Sequence, residues 1–187
     1  SMMVDNQKIR CWRPQGHGSQ TFAEGVKNSC NCVFMQAALE LGVDKFYQGL
    51  SAFGVTQKTG IDLSGEGSGL TIPQSSVKNV DLARIGFGQA VAMTPIELLT
   101  AAAAAVNGGY KVTPKLLAKI QDESGILLSG ETGRGERVIS AETSATLRAM
   151  LERVVLEGSG KNAAVPGVRV GGKTGTAQKY ENGQIAR

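Results

Sequence analysis

Apolar residues recur at helical spacing in several stretches of the chain, and most of these stretches lie between recognisable start and stop signals. Thr94 is the clearest start, because Pro95 and Glu97 after it provide a first-turn proline and a capping box. Gly42 is the predicted stop between two successive helices. The pattern predicts helices at residues 21–27, 32–41, 44–53, 81–85, 95–107 and 141–156.

The remaining stretches are read as extended segments and loops. Residues 3–20, 110–120 and 135–139 are expected to be irregular or extended, and residues 55–79 and 121–134 are rich in turn signals. Residues 168–179 are expected to form a strand, in which two adjacent glycines let another group approach the backbone closely. The order of the elements predicts an α+β fold with helices packed on a sheet.

Composition narrows the range of functions. The 187 residues, 41% hydrophobic and 19% charged, fit one domain or most of a larger one. The net charge is +4, but the basic residues are scattered and aromatic residues are few, so nucleic acid is not an expected partner. No apolar run approaches about 18 residues, and no signal peptide is visible. Residues 1–2 resemble a cloning scar.

The predicted strand contains the tetrad Lys173-Thr174-Gly175-Thr176. A lysine and hydroxyls at alternate positions give a strand one cationic, hydroxyl-rich face that suits a carboxylate. Residues 167–174 also satisfy the P-loop pattern, but strand-like residues fill the loop positions and no helix is predicted to follow. Nucleotide binding is therefore not predicted. A second Lys-Thr-Gly, at residues 58–60, lies in a polar loop and is interpreted as structural.

A second motif, Ser29-Cys30-Asn31, lies between two predicted helices and could offer a hydroxyl and an amide together. With the tetrad, it resembles the serine transpeptidase family of penicillin-binding proteins, which uses Ser-x-x-Lys, Ser-x-Asn and Lys-Thr-Gly. The chain is most similar to the class B, monofunctional group over roughly residues 8–187. The resemblance also rests on Lys-Thr-Gly-Ile-Asp-Leu at 58–63, Gly-Phe-Gly-Gln at 86–89, Met-Thr-Pro at 93–95 and Gly-Gly-Lys-Thr-Gly-Thr-Ala-Gln at 171–178.

The resemblance implies a partial transpeptidase domain over residues 1–187, with a helical subdomain and part of an antiparallel sheet. It implies a peptidoglycan D,D-transpeptidase that acts through an acyl-serine, needs no cofactor for catalysis, and takes stem peptides and β-lactams. The parent protein would be membrane-anchored, with the domain on the extracytoplasmic face, and part of a cell-wall synthesis complex. The implied catalytic residues are Ser29, Asn31, Lys173, Thr174, Gly175 and Thr176.

Each implied residue has a role by the same resemblance. Ser29 relays a proton, Asn31 holds the stem-peptide amide, and Lys173 supplies positive potential. The two threonines of the tetrad bind the terminal carboxylate, and the amide of Thr176 forms half of an oxyanion hole, to which Gly175 leaves access. No Ser-x-x-Lys occurs upstream of Ser29. The nucleophile is expected before residue 1 and further strands after residue 187. Residues 1–187 are therefore expected to be inactive alone.

The cysteines suggest a metal. Cys11, His17, Cys30 and Cys32 fall within 22 residues, and a Cys₃His set is typical of a closed structural zinc site. Asp5 is an alternative oxygen ligand. The simpler interpretation is that the cysteines are small buried residues and the histidine occupies a turn. If zinc binds, the chain could instead be a non-catalytic, penicillin-binding-like structural or sensor module.

Overall fold

The computed structural model describes residues 1–130, 135–176, 180–181 and 184–185. The helices of this part are α1 (Phe22–Lys27), α2 (Asn31–Ala52), α3 (Asn79–Gly86), α4 (Pro95–Val106) and α5 (Ala141–Glu157), with 3₁₀ turns at Gln74–Ser76 and Lys161–Ala163. The strands are β1 (Met2–Val4), β2 (Gln7–Ile9), β3 (Leu70–Thr71), β4 (Val91–Ala92), β5 (Lys119–Asp122), β6 (Gly125–Ser129), β7 (Tyr180–Glu181) and β8 (Gln184–Ile185).

All six predicted helices are present, and two of them are joined. Residues 32–41 and 44–53 form the single element α2, which is broken at Gly42 by a non-helical backbone with φ of 74°. This is the predicted stop, because only glycine adopts such a conformation without strain. Two-stranded sheets accompany the helices in the described part of the chain, and among them β1–β2, β5–β6 and β7–β8 are antiparallel. The α+β class is therefore confirmed.

Backbone contacts divide the chain into two compact units. The first unit comprises Ser1–Phe46, Ile72–Val91 and Arg148–Arg187, and the second comprises Tyr47–Thr71 and Ala92–Leu147. Both motifs and all the cysteines lie in the first unit. Among the described residues, none of the helices combines the length and the apolar character that crossing a bilayer requires.

The core of the first unit joins the β1–β2 hairpin to α2 and α3. Val4, Met35, Val80 and Ala83 are buried together, because each places an apolar side chain on the inner face of its element. Cys32 packs against this cluster. The contact is backed by hydrogen bonds from the turn of the hairpin, where the Asp5 carboxylate accepts from the amide of Val80 and the side chain of Asn79 at the start of α3, each at 3.3 Å.

The second unit is organised around the start of α4. The predicted capping box is confirmed, since the Thr94 hydroxyl accepts from the Glu97 amide and the Glu97 carboxylate accepts from the Thr94 amide at 2.6 Å. Glu97 is 1% exposed and also accepts from the amide of Gly69 at 2.9 Å. The alanine-rich face of this helix predicts tight packing in the core, but the helix is not fully enclosed, since Leu98 and Leu99 are 59% and 62% exposed.

Two predictions about residues outside the helices are corrected. The turn-rich stretch at 121–134 contains most of the β5–β6 hairpin, whose turn residues mask two short β-prone runs. The predicted strand at 168–179 is not in a ladder: Val168 forms an isolated bridge with Val165, and residues 169–176 have no described strand partner. Sequence alternation favours an extended backbone, but a strand also requires a neighbour that the local pattern does not specify. Residues 177–179 lie outside the described part.

Candidate active site

Ser29 sits at the junction of α1 and α2 in a conformation that non-glycine residues rarely adopt. Its φ is 52°, and such a left-handed backbone costs roughly 1 kcal/mol or more for a residue with a Cβ. The junction is held by its own backbone, since the Ser29 amide donates to the Val26 carbonyl at 3.1 Å and the Cys30 amide donates to the Gly25 carbonyl at 2.9 Å. The turn is therefore fixed, and it presents a half-buried hydroxyl.

Lys173 meets this hydroxyl from a distant part of the chain. Its Nζ donates to Ser29 Oγ at 2.6 Å and to the carbonyl of Thr174 at 2.9 Å. The ammonium also lies 6.0 Å from the centre of the Phe34 ring, within the range of a cation–π contact. The residue as a whole is exposed, yet partial burial lowers the pKa of its side chain. The two motifs thus form one polar constellation.

The remaining tetrad residues line an open surface beside this pair. Thr174 Oγ1 lies 3.2 Å from the hydroxyl of Ser159, while Gly175 and Thr176 are exposed. A Cβ built at Gly175 would meet no atom within 4 Å. The side of the tetrad that is expected to receive a ligand is therefore accessible in the described residues.

The tetrad is attached to the C-terminal part of α5. The amide of Gly172 donates to the Leu151 carbonyl at 3.2 Å. This amide is therefore not available to pair with a neighbouring strand. Three residues earlier, Arg169 donates to both carboxylate oxygens of Glu152 at 2.7 and 2.6 Å. These contacts set the position of the segment that carries Lys173.

Asn31 is placed differently from Ser29. It is the first residue of α2, and its side-chain amide donates to the Arg10 carbonyl at 3.4 Å. It is half-buried and directly follows the Ser29 turn. Its predicted contact with a stem peptide stays a prediction.

Two residues that the sequence reasoning did not select support the site. The Trp12 indole donates to the carbonyl of Ser29 at 3.0 Å and to that of Asn28 at 3.3 Å. Ser159 contacts Thr174, and its amide donates to the Lys27 carbonyl at 3.2 Å. Neither residue belongs to a motif with a distinctive spacing. Ser159 lies in a Gly-Ser-Gly stretch that the sequence marks only as a helix break. The lone tryptophan beside a cysteine was the only available signal.

Three competing motifs are not built for chemistry here. The backbone after Thr174 is not helical at residues 175–176, so the P-loop match has no helix start to bind phosphate. In the second Lys-Thr-Gly, the amide and hydroxyl of Thr59 both donate to Glu66 at 2.6 Å, which gives that loop a structural role. Ser75 and Lys78 also satisfy Ser-x-x-Lys, but Ser75 lies in a one-turn 3₁₀ helix and both residues are exposed.

The cysteine prediction is met in part. The ligand atoms of Cys11, His17 and Cys30 all lie within 4.8 Å of one another, whereas Cys32 is not in this group. Cys32 instead packs against the core, and burial raises the pKa of its thiol. The Asp5 carboxylate instead accepts a hydrogen bond from the Val80 amide at the start of α3, so Asp5 is not the alternative oxygen ligand for a metal.

Burial affects the pKa of two members of this group, and neighbouring residues reinforce its effect at His17 and oppose it at Cys30. Burial and then the positive charge of Arg13 lower the pKa of the His17 imidazole. Burial opposes ionisation of the Cys30 thiol, but hydrogen bonds from surrounding groups, led by the Val33 amide, outweigh it and lower the pKa.

Comparison with known proteins identifies the family. The profile of the penicillin binding protein transpeptidase domain matches residues 2–186, and the chain belongs to this family. It is 46% identical to stage V sporulation protein D of Bacillus subtilis, in an alignment of 187 positions that covers 97% of this chain and 28% of the relative. It is 29% identical to the peptidoglycan D,D-transpeptidase MrdA of Acinetobacter baumannii, covering 93% of this chain and 27% of that protein.

Solved structures agree with the fold. Penicillin-binding protein 3 of Mycobacterium tuberculosis, in its apo form, matches with a TM-score of 0.87 and 29% identity over 97% of this chain and 42% of that one. The same protein complexed with ampicillin matches with a TM-score of 0.78 and 32% identity over 88% of this chain and 38% of that one. The penicillin-binding-protein transpeptidase fold is thus confirmed, in part of its length. The chain spans less than a third of the curated relatives named above.

Proposed function

We propose that Ser29, Asn31 and the tetrad at residues 173–176 form one wall of the acyl-transfer site of a peptidoglycan D,D-transpeptidase. The observation that carries the proposal is the 2.6 Å contact of Lys173 Nζ with Ser29 Oγ, which unites the two motifs. The similarity to a peptidoglycan D,D-transpeptidase supports this activity over a non-catalytic module. By the same reasoning, the parent protein is membrane-anchored with this domain on the extracytoplasmic face.

The reaction proceeds in two steps through an acyl-serine. A serine oxygen of a Ser-x-x-Lys motif bonds to the carbonyl carbon of the stem peptide, the C–N bond breaks, and the serine proton passes to the departing amine. A second stem-peptide amine then bonds to the same carbon, and the proton it loses returns to the serine oxygen as the acyl–oxygen bond breaks. A β-lactam enters the first step and remains attached.

Ser29 is suited to carry that proton. The Lys173 ammonium can only donate, so its hydrogen bond occupies a lone pair of Ser29 Oγ and leaves the O–H free to donate elsewhere. The fixed left-handed turn keeps the hydroxyl in place without reorganisation. Asn31, on the same turn, would bind the stem-peptide amide.

The tetrad would bind the carboxylate end of the substrate. Lys173 supplies positive charge, the hydroxyls of Thr174 and Thr176 donate hydrogen bonds, and the Thr176 amide contributes half of the oxyanion hole. The open space beside Gly175 admits the acyl group. This acyl transfer uses side chains and backbone amides and needs no cofactor, so a metal at the cysteines would serve structure alone.

The test is covalent labelling of the full-length protein with a fluorescent penicillin. We expect Lys173→Ala and Ser29→Ala to lower the second-order rate constant of acylation about 100-fold or more, because each removes a group that acts on developing charge or on the transferred proton. Lys58→Ala is the matched control, since it alters the same tripeptide in a structural loop. Equal rates for the Lys173 and Lys58 variants, or no adduct on the wild-type protein, would refute the proposal.

A further inference from the structure

We propose that Ser159 is a positioning residue for the tetrad, whose hydroxyl directs the proton of the Thr174 hydroxyl toward the carboxylate of a bound ligand. Ser159 lies in the Gly-Ser-Gly stretch at residues 158–160, directly after the end of α5. The inference deepens the proposed function and rests on it, because the contact of Thr174 with a carboxylate belongs to that proposal.

The backbone of Ser159 is attached to the end of α1. Its amide donates to the carbonyl of Lys27 at 3.2 Å, and Lys27 is the last residue of α1, two positions before Ser29. Gly158 permits this approach, since a Cβ at that position would lie 2.3 Å from the same carbonyl oxygen. A salt bridge of 3.6 Å between Lys27 Nζ and Glu157 Oε2 joins the same two helix ends. Ser159 is therefore held beside the junction that carries Ser29.

The rest of the stretch is closed onto α5. The amides of Gly158 and Gly160 both donate to the carbonyl of Val154, at 3.1 and 3.0 Å, and Val154 is fully buried. Three consecutive amides are thus bonded to two helix ends, which leaves the backbone of Ser159 little freedom. The direction of its hydroxyl is set by a fixed loop.

The side chain of Ser159 lies between two oxygens. Its Oγ is 3.2 Å from Thr174 Oγ1 and 3.4 Å from the carbonyl oxygen of Lys27. A hydroxyl carries one proton, so it donates to only one of these oxygens at a time. The Lys27 carbonyl already accepts from the Ser159 amide. The hydroxyl proton can therefore turn to Thr174 without leaving that carbonyl unpaired.

A bound carboxylate selects one of the two arrangements. An ionised carboxylate only accepts hydrogen bonds, so Thr174 must donate its own proton to it. The lone pairs of Thr174 Oγ1 then remain to accept, and the Ser159 hydroxyl lies at hydrogen-bond distance to donate. Two hydrogen bonds that run in the same direction strengthen each other, most of all where the ligand excludes water from these exposed side chains.

The experiment measures the second-order rate constant of acylation of the full-length protein by a fluorescent penicillin, which carries a free carboxylate. We expect Ser159→Ala to lower it about 3- to 10-fold, the loss that fits one hydrogen bond. Ser159→Thr keeps the hydroxyl and should retain most of the wild-type rate. Ser76→Ala is the matched control, since its exposed hydroxyl donates to the Pro73 carbonyl at 3.1 Å, and it should leave the rate unchanged.

A double-mutant cycle with Thr174→Val separates positioning from general support of the fold. The valine removes the Thr174 hydroxyl and keeps its shape, so Ser159→Ala should lower the rate no further in that background. The same loss in both backgrounds would overturn the inference, because Ser159 would then act through another group. No loss in Ser159→Ala, or a Ser159→Thr variant as slow as Ser159→Ala, would overturn it as well.

The outcomes also separate this inference from the proposed function. A rate that falls in Lys173→Ala but not in Ser159→Ala would refute only the role of Ser159. A wild-type protein that forms no adduct would refute the proposed function, and the role of Ser159 would fall with it.

Discussion

Ser29 and Lys173 meet although 144 positions separate them along the chain. Each side of the contact is fixed separately: the turn of Ser29 is held by amide hydrogen bonds from its own junction, and the segment of Lys173 is held to α5 by the Gly172 amide. A strained, non-glycine turn persists where the surrounding structure over-determines it, and such turns cluster at functional sites. The surrounding structure of the first unit therefore holds both residues of this contact in position.

The lowered pKa of Lys173 predicts a pH dependence of stability. Partial burial disfavours its ammonium in the folded state. Between this lowered pKa and the ordinary value of 10.5, the unfolded state binds more protons than the folded state, so stability rises with pH. The penalty is fully present below the lowered pKa and disappears as pH rises through this interval.

The measurement compares free energies of unfolding of the wild type and Lys173→Met over a series of alkaline pH values. We expect the wild type to gain stability relative to the variant as pH rises. Lys173→Arg is the second comparison, because its guanidinium remains protonated throughout and should show no such gain relative to Lys173→Met. A difference that stays flat or falls with pH would show that the lysine is not significantly buried.

The separation of the site residues limits what the sequence alone could predict about them. Nothing local to Ser29 indicates that Lys173 lies beside it, and only the resemblance to a family paired the two motifs. The hydrogen bonds of Trp12 and Ser159 are set by tertiary approach and leave no periodic or spacing signal. The grouping of Cys11, His17 and Cys30 was predictable because all three fall within 20 residues of the chain. Which cysteine packs into the core instead depends on the fold of α2.

At the scale of elements, the capping box of α4 has a buried role that its counterpart on α1 lacks. Glu97 accepts from the amides of Thr94 and Gly69 and is 1% exposed. Glu24 occupies the same position on α1, where it accepts from the Thr21 amide at 2.8 Å but is only half-buried. The two glutamates thus share a sequence signature in different environments.

We predict that Glu97→Ala destabilises the chain by about 2–3 kcal/mol, since it leaves two part-buried amides without the acceptor that the buried Glu97 carboxylate provides. Glu24→Ala is the matched control and should cost clearly less, because water can replace its carboxylate. Denaturant unfolding monitored by circular dichroism measures both. Equal losses would mean that the hydrogen bonds of Glu97 contribute no more than an ordinary helix cap.

Helices were predicted well because their signals are local, as the caps at Thr94, Thr21 and Ser140 show. The Ser140 hydroxyl accepts from the Thr143 amide at 3.0 Å, as expected for the start of α5. The stretch at 168–176 was assigned wrongly because strand pairing depends on a partner elsewhere. The helical spacing of α5 predicts a buried stripe of Leu147, Met150, Leu151 and Val154. Val154 is fully buried, but so is Ser144, whose hydroxyl donates to the Ala105 carbonyl.

At the scale of the whole molecule, the part of the chain that the structure describes places no nucleophile beside the other residues of the proposed site. The described residues bring the hydroxyl of Ser29, the proposed relay, and the cationic tetrad together on one unit. In the family the attacking serine belongs to a Ser-x-x-Lys motif, and the match within these residues, Ser75 to Lys78, is exposed in a short 3₁₀ turn. The proposed chemistry requires a serine that faces Ser29 and Lys173 directly.

We therefore predict that the 187-residue chain forms no covalent adduct with a fluorescent penicillin, whereas the full-length protein does. Gel fluorescence after incubation measures this, with circular dichroism as the control that the chain is folded. Should an adduct form on the chain, peptide mass spectrometry would locate it. Modification at Ser75 that Ser75→Ala abolishes would make the local Ser-x-x-Lys the nucleophile, and modification at Ser29 would make the relay hydroxyl itself reactive. Either result would contradict a site whose attacking serine lies outside residues 1–187.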